Sequence, residues 1–369
     1  MLLFLIILGI IASVSVYFRN SGVPVFLYHQ INEHSNVNKK LFEKHLEYVH
    51  SKDLHTFTIT EAKNQIMAHG SLPRNSVLIT FDDGYYDNYL HVFPLLKKYR
   101  IKATFFLNTL FIQEKADRSS TQIMKSDDAN RQAIEKFYLT GDGGTDQYMS
   151  WEEIREMQAS GLCDFQAHTH SHKLAVANLN LRNFLDEGPY DRETIQLFEG
   201  KPEEGLPLFR SRGEMTISKY QLSQKFLDDF KNFYKSHLTG VPRRNKLFKG
   251  KQFIISYKDP IAVHEKIELT EERIRAEIRK NKLAIETHLK NEVFAFAWPY
   301  GAKSNFTKAF ICKENISAFV SCKKGTNSRK INFNLVRRIE LRKPTLQNFK
   351  LALNINLNLL TGKIYEFFT

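Results

Sequence analysis

The sequence predicts a parallel α/β fold, and three observations carry that prediction. Short apolar runs of strand length alternate with amphipathic stretches of helical period. Polar, chemistry-bearing residues stand directly after the ends of several of those runs. The composition is that of a packed chain: 369 residues, 42% hydrophobic and 25% charged. Those proportions exclude disorder, collagen and coiled coil as the main architecture. The length admits one large domain with insertions, or two domains.

Taken in order, residues 2–18 (LLFLIILGIIASVSVYF) carry no charge and sit at the short limit for a membrane span. No Lys or Arg precedes the run and no clean small-residue cleavage pattern follows it. That favours an uncleaved N-terminal membrane helix over a cleaved signal, with residues 1–20 as anchor or signal. Either reading places the body, residues 21–369, at or beyond the membrane. Strands are expected at 23–28, 77–81, 103–107, 163–167, 293–297 and 317–320. Between them, Ser150 with Glu153 forms a capping box ahead of a helix over 150–160. Ile274, Ile278, Ile285 and Leu289 repeat at helical spacing over 270–290, with Thr270 as the expected cap. A loop-like stretch, 111–147, ends in a turn-forming Gly141-Asp142-Gly143-Gly144 run.

Residues 186–263 break this rhythm. They hold Gly-Pro and Lys-Pro turns, a Phe/Tyr-rich helical pattern around 217–237, and the basic residues Arg243, Arg244, Lys246, Lys249 and Lys251. This reads as an insertion on the α/β core, its basic stretch either a solvated loop or a binding surface. Over the whole chain 53 basic residues outweigh 40 acidic ones, a formal charge of +13. That favours anionic partners. The basic residues are dispersed and no nucleic-acid motif is present, so nucleic acid is not expected as a partner. Three cysteines without a C-x-x-C pair exclude a disulfide scaffold and argue against a zinc ribbon.

The chemistry gathers at strand ends. Strand 77–81 runs into Asp82-Asp83-Gly84, strand 163–167 into His168-Thr169-His170-Ser171-His172, strand 293–297 into Trp298-Pro299-Tyr300-Gly301, and strand 23–28 into His29. In a parallel barrel those ends share one face. Asp-Gly alone is an ordinary turn. His168 and His172, four apart, can reach one ion on a helical turn, with His170 pointing away. Two imidazoles and one carboxylate leave open positions, as in a catalytic site, and the second Asp is free to act as a base.

These residues resemble the polysaccharide deacetylases, also called NodB-homology enzymes or carbohydrate esterase family 4. VPVFLYHQI looks like that family's N-terminal strand. VLITFDDGYYDNYLHVFPLLKKYRIKATFFLNT is similar to its first motif with the following helix and strand. YMSWEEIREMQASGLCDFQAHTHSHKLA carries its second motif, and EIRKNKLAIETHLKNEVFAFAWPYG leads to its third. VRRIEL resembles a later Arg-Ile segment. The resemblance implies a distorted (β/α)₇-type barrel and metal-dependent removal of N-acetyl groups from amino sugars of an envelope or extracellular polysaccharide. It implies Asp82 as general base, and Asp83, His168 and His172 as ligands of a divalent ion. That ion is first Zn²⁺, with Ni²⁺, Co²⁺, Fe²⁺ or Mn²⁺ as alternatives. Tyr300 would supply an oxyanion-hole N–H. Trp298, Pro299 and Arg338 are expected to line the substrate.

Two departures bear on the roles. The family's third motif is R-x-P-Y, whose Arg steadies the base; here that position is Ala297, with Arg337 or Arg338 as substitutes. The usual acid is a C-terminal His, yet no His follows His288. A subgroup resembling the poly-N-acetylglucosamine deacetylases is permuted and places the acid on the N-terminal strand, where His29 stands. Two other functions stay open: a deacetylase or deformylase of a lipid-linked amino sugar, and a catalytically silent glycan binder on the same fold. The expected location is the bacterial cell envelope, membrane-anchored with the catalytic domain outside the cytoplasm, or secreted.

Overall fold

The computed structural model describes residues 21–118, 136, 147–188 and 190–368. The anchor expected at 1–20 and most of the loop expected at 111–147 lie outside them. Among the described residues no helix is long and apolar enough to cross a membrane. All six expected strands form. β1 is Gly22–Val23, β2 Val25–Tyr28, β3 His55–Thr56, β4 Ser76–Asp83, β5 Ala103–Asn108 and β6 Cys163–Thr169. β7 is Leu174–Phe184, β8 Pro207–Gly213, β9 Tyr220–Leu222 and β10 Ile261–His264. β11 is Ala295–Ala297, β12 Ala318–Val320 and β13 Asn327–Ser328.

The main sheet has seven strands in the order β12-β11-β6-β5-β4-β2, with β3 on the edge of β4, all parallel. Residues 336–339 close it into a ring. Val336 bridges Val320, and Ile339 bridges Phe26, each in parallel. The Ile339 N–H donates to Val25 O at 2.7 Å, and Val336 N–H to Phe319 O at 2.8 Å. No regular strand is needed there, because one residue near each end bonds to each neighbour.

Strand periodicity sorts the side chains. Val25, Leu78, Phe106, Ala297, Val320 and Val336 belong to one buried cluster, which fills the ring. Their neighbours Phe26, Ile79, Phe105 and Phe296 pack outward beneath the surrounding helices. Ser150 and Glu153 do form a capping box on the helix Trp151–Ala159. The helix expected over 270–290 runs Ile267–Leu289 and starts beyond Lys266. Thr270 is therefore inside the first turn rather than its cap. There it is fully buried and bonded to Glu265 at 3.0 Å. Of the aromatic pattern around 217–237, Gln224–His237 is helix, while its first part holds β9.

A second apolar cluster lies outside the ring. It joins the antiparallel hairpin β7–β8 to the helices Gln224–His237 and Arg243–Ser256 through Leu181, Phe184, Phe209, Phe226, Phe230 and Ile254. Gly250 permits this docking, since a Cβ there would meet Leu181 and Phe184 at 2.9 Å.

Candidate active site

Leu78, Thr80 and Asp82 alternate on β4, so Asp82 faces the ring interior with them. The same parity turns Arg338 inward from the closing segment. It is completely buried, and its Nη1 and Nη2 donate to Asp82 Oδ1 and Oδ2 at 2.6 and 2.7 Å. Burial works to raise the Asp82 pKa, but the Arg338 and His168 charges outweigh it and hold the carboxyl below its ordinary value. Asp82 is thus a buried, fixed carboxylate. Arg338 was expected to line the substrate or to steady the base. Full burial against Asp82 removes the first option and leaves it as the partner that Ala297 cannot be.

Asp83 follows with φ 78°, a left-handed backbone rare for a residue with a side chain. His172 (φ 52°) and Tyr300 (φ 56°) share this conformation. Strain of this kind persists only where the surroundings enforce it, and it concentrates at functional sites. The turn aims Asp83 at the histidines: Oδ1 lies 3.6 Å from His168 Nε2 and 3.7 Å from His172 Nε2. All three residues are buried, and their donor atoms lie within 4.8 Å of one another. Asn108, at the end of β5, donates to the same Asp83 oxygen at 2.6 Å.

The donor set suits a divalent ion. His168 Nδ1 donates to Ala297 O at 2.8 Å, which leaves the Nε2 lone pair facing Asp83. Burial pushes the His168 pKa down and that of His172 down to about 3, so both rings are neutral. Carboxylate with two neutral imidazoles is a hydrolytic donor set. His172 has one further neighbour. Arg192 Nη2 stands 3.3 Å from its Nδ1, while the same guanidinium is held by Tyr148 and, at 2.8 Å, by Glu193. A guanidinium only donates. An ion held by His172 through Nε2 would require the proton on Nδ1, which would make that contact repulsive and leave Arg192 to Tyr148 and Glu193.

His29 follows β2 and is half-buried. It stands near enough to Asp82 and Asp83 to act electrostatically on both carboxyls. The loop that carries it is pinned from below. Asp87 accepts from Ile31 N–H at 3.0 Å and Asn32 Nδ2 at 2.8 Å, and Asn88 Nδ2 donates to His29 O at 2.9 Å. Tyr300 closes the other side: its hydroxyl donates to His172 O at 3.0 Å, and the rings stand 4.4 Å apart. From Tyr300 a groove of about 610 Å³ runs along Ser211, Arg212 and Thr216 toward Lys303.

Trp298 does not line that groove. It is 1% exposed and packs on Phe296 and Phe319, so it offers no face to a sugar. Pro299 is buried as well. His170 stays out of the cluster, its Nδ1 against Thr109 Oγ1 at 3.0 Å. Sequence reasoning missed Asn108, Asp87, Arg192 and Asn281. Asn108 had a signal, a polar residue ending an apolar strand. Arg192 had none, because it lies in the aperiodic stretch. Asn281 sits fully buried in the helix Ile267–Leu289 and donates to Leu107 O at 2.9 Å and Thr169 O at 2.7 Å, tying two strand ends together.

Residues 69–203 match the family model for polysaccharide deacetylases. YxkH of Bacillus subtilis, which carries a polysaccharide deacetylase name, is 41% identical over 91 residues, 24% of this chain and 33% of its own length. The poly-β-1,6-N-acetyl-D-glucosamine N-deacetylase of Staphylococcus aureus is 27% identical over 164 residues, 44% of this chain and 45% of its own. The chain thus matches less than half the length of these curated relatives. A de-N-acetylase from Aggregatibacter actinomycetemcomitans has a similar fold, with TM-score 0.56 at 15% identity, over 89% of this chain and 99% of that one. IcaB from Ammonifex degensii gives 0.51 at 17%, over 91% and 97%. The matched segment spans both the Asp82-Asp83 turn and the His168/His172 pair, and over that segment the chain is similar to the polysaccharide deacetylases, whose solved members share its fold.

Proposed function

We propose that the protein hydrolyses N-acetyl groups from amino sugars of an envelope or extracellular polysaccharide. The observation that carries this reading is the pairing at one mouth of an Arg-clamped carboxylate, Asp82, with a separate carboxylate–bis-imidazole cluster. Asp83, His168 and His172 would hold the divalent ion, with zinc the first choice. When bound, such an ion polarises an amide carbonyl and lowers the pKa of water. Asp82, ionised and fixed in orientation, takes the proton of the attacking water. The Tyr300 N–H, at a left-handed turn beside His172, faces the developing oxyanion. His29 delivers the proton to the leaving amine. The β8 side of the groove makes the insertion, expected at 186–263, a contributor to substrate choice. Residues 2–18 hold the body to the membrane on its outer side.

Support comes from the shared motif order and from the N-deacetylase name of the Staphylococcus aureus relative. The test is acetate and free-amine release from an N-acetylated β-1,6-glucosamine oligomer and from a lipid-linked acetylated amino sugar. The ion content of the protein is measured alongside. The His168→Ala/His172→Ala double variant should lose both ion and turnover. Asp82→Asn should keep the ion and lose roughly 10²-fold or more in turnover. Full ion occupancy in the double variant, or undiminished turnover in Asp82→Asn, overturns the assignment.

A further inference from the structure

The C-terminal helix Leu359–Phe368 is docked by one face only. Gly362 lies so close to Thr326 that a Cβ would stand 2.4 Å from its methyl group. Glu366 pairs with Arg337 and, at 3.4 Å, with Lys323. Tyr365 packs against the main core. The opposite face holds Leu360, Ile364 and Phe367, which are 52%, 52% and 91% exposed. Positions i, i+4 and i+7 form one stripe along a helix. Lys363 lies exposed on that same face, and the helix's one acid, Glu366, is turned inward to its partners.

What covers this stripe is indicated by where the chain enters the fold. Ser21 bridges Asn358, and the Gly22 N–H donates to Leu357 O at 2.8 Å. The first turn of the helix therefore adjoins the point where the chain comes in. Only Arg19, Asn20 and Ser21 separate the uncharged run 2–18 from Gly22. Three residues reach at most about 10 Å. If that run is in a bilayer, the helix beside Gly22 is held within reach of its surface. An apolar stripe beside the exposed Lys363, on a chain of charge +13, matches the interface of an anionic bilayer.

We infer that Leu360, Ile364 and Phe367 are a membrane-contact surface, buried in the headgroup boundary of the bilayer that holds residues 2–18. This rests on the membrane placement of that run and not on the reaction proposed above. The main rival is the helix Arg243–Ser256, where Phe248 and Ile255 are 63% and 84% exposed among basic residues. It packs on Leu181 and Phe184 of β7, at the other end of the β7–β8 ladder from the groove-lining Leu174 and Gly213.

The chain's own tryptophans make the test clean, since Trp151 and Trp298 are both buried. Full-length Phe367→Trp and Phe248→Trp are reconstituted into vesicles of phosphatidylcholine and phosphatidylglycerol, with and without bromine on the acyl chains. The inference expects the Phe367→Trp variant to gain an emission that is shifted to the blue and quenched by bromolipid. The emission gained by the Phe248→Trp variant should be unchanged by bromolipid. Quenching in the Phe248→Trp variant but not in Phe367→Trp overturns the inference in favour of the basic helix. Quenching in neither overturns it in favour of a protein cover, either residues 2–18 themselves or a second copy. Acetate release is read on the same samples, so loss of the enzymatic reading is seen separately from loss of this one.

Discussion

Asp82 shows how much can rest on one pair of residues. Among the described residues its only fully buried cationic neighbour in hydrogen-bond contact is Arg338, and neither can be removed alone without stranding a charge in the ring. Arg338→Met should cost about 3–5 kcal/mol of stability. Adding Asp82→Asn to it should restore most of that loss while turnover stays low. Thermal unfolding of the two singles and the double, with acetate release on each, checks this. His29 makes a different prediction. His29→Ala should leave fold and ion content intact and cost roughly 10²–10⁴-fold on an amide substrate. The cost should be smaller on an ester, whose alkoxide leaves with less protonation; equal small losses on both would reduce His29 to a strand-end histidine. The gathering of Asp82, Asp83, His168 and His172 at one mouth was legible because each stands at a strand end; the roles proposed for them came from the family resemblance. Arg338 was half legible. A missing Arg at Ala297 asks for a substitute, but only the parity of the closing segment shows that Arg338, and not Arg337, turns inward.

At the scale of elements, strands were easy to read, because each is a short apolar run with a punctuated end. Caps were less so. Ser150 works because Glu153 completes a local box, a contact made within one turn. Thr270 fails because the helix gains its first turn from Glu265 and Arg273, a tertiary arrangement that no local pattern reports. The closing segment 336–339 was invisible as a strand for the same reason: its bonds are two bridges to distant strands. Asn281 is the comparable case in a helix. A buried Asn among Ile274, Ile278 and Ile285 looks like a flaw in the stripe, yet it supplies donors to Leu107 O and Thr169 O. Asn281→Asp removes both donors and faces the carbonyls with a carboxylate. It should cost roughly 2–6 kcal/mol, from two stranded acceptors at about 1–3 kcal/mol each. It should also loosen the His168–His172 turn, and urea unfolding with ion affinity measures both. Asn281→Gln, which keeps the amide, should recover part of the loss.

Across the whole molecule, stability should depend on pH through histidines buried in neutral form. His45 is fully buried, takes the Tyr28 hydroxyl at 3.0 Å, and stacks on Phe349. Burial holds its pKa down at about 3. Unfolded, it titrates near its ordinary 6.5, so the unfolded chain takes up a proton as pH falls below that value and the folded one does not. The stabilisation is complete above pH 6.5 and is lost progressively toward pH 3. At 1.36 kcal/mol per unit this amounts to roughly 3 kcal/mol by pH 4. His45→Gln should flatten the fall in melting temperature between pH 6.5 and 4 relative to the parent, which isolates this group from other titrating residues. The molecule also has a direction. Gly22 opens β1 and His29 follows β2, about 23 Å further along the extended chain at 3.3 Å per residue. With three residues between the uncharged run and Gly22, that entry end is the low end whenever the run is in lipid, and the mouth is the high one. On the anchoring proposed above, a sugar still joined to a lipid carrier would lie in the headgroup layer, below the opening. A strand of polymer rising from the surface passes the opening once it has grown to that height. On the reaction and anchoring proposed above, the short tether would act as a ruler, leaving newly made ends untouched and setting a minimum length below which a growing chain keeps all its acetyl groups.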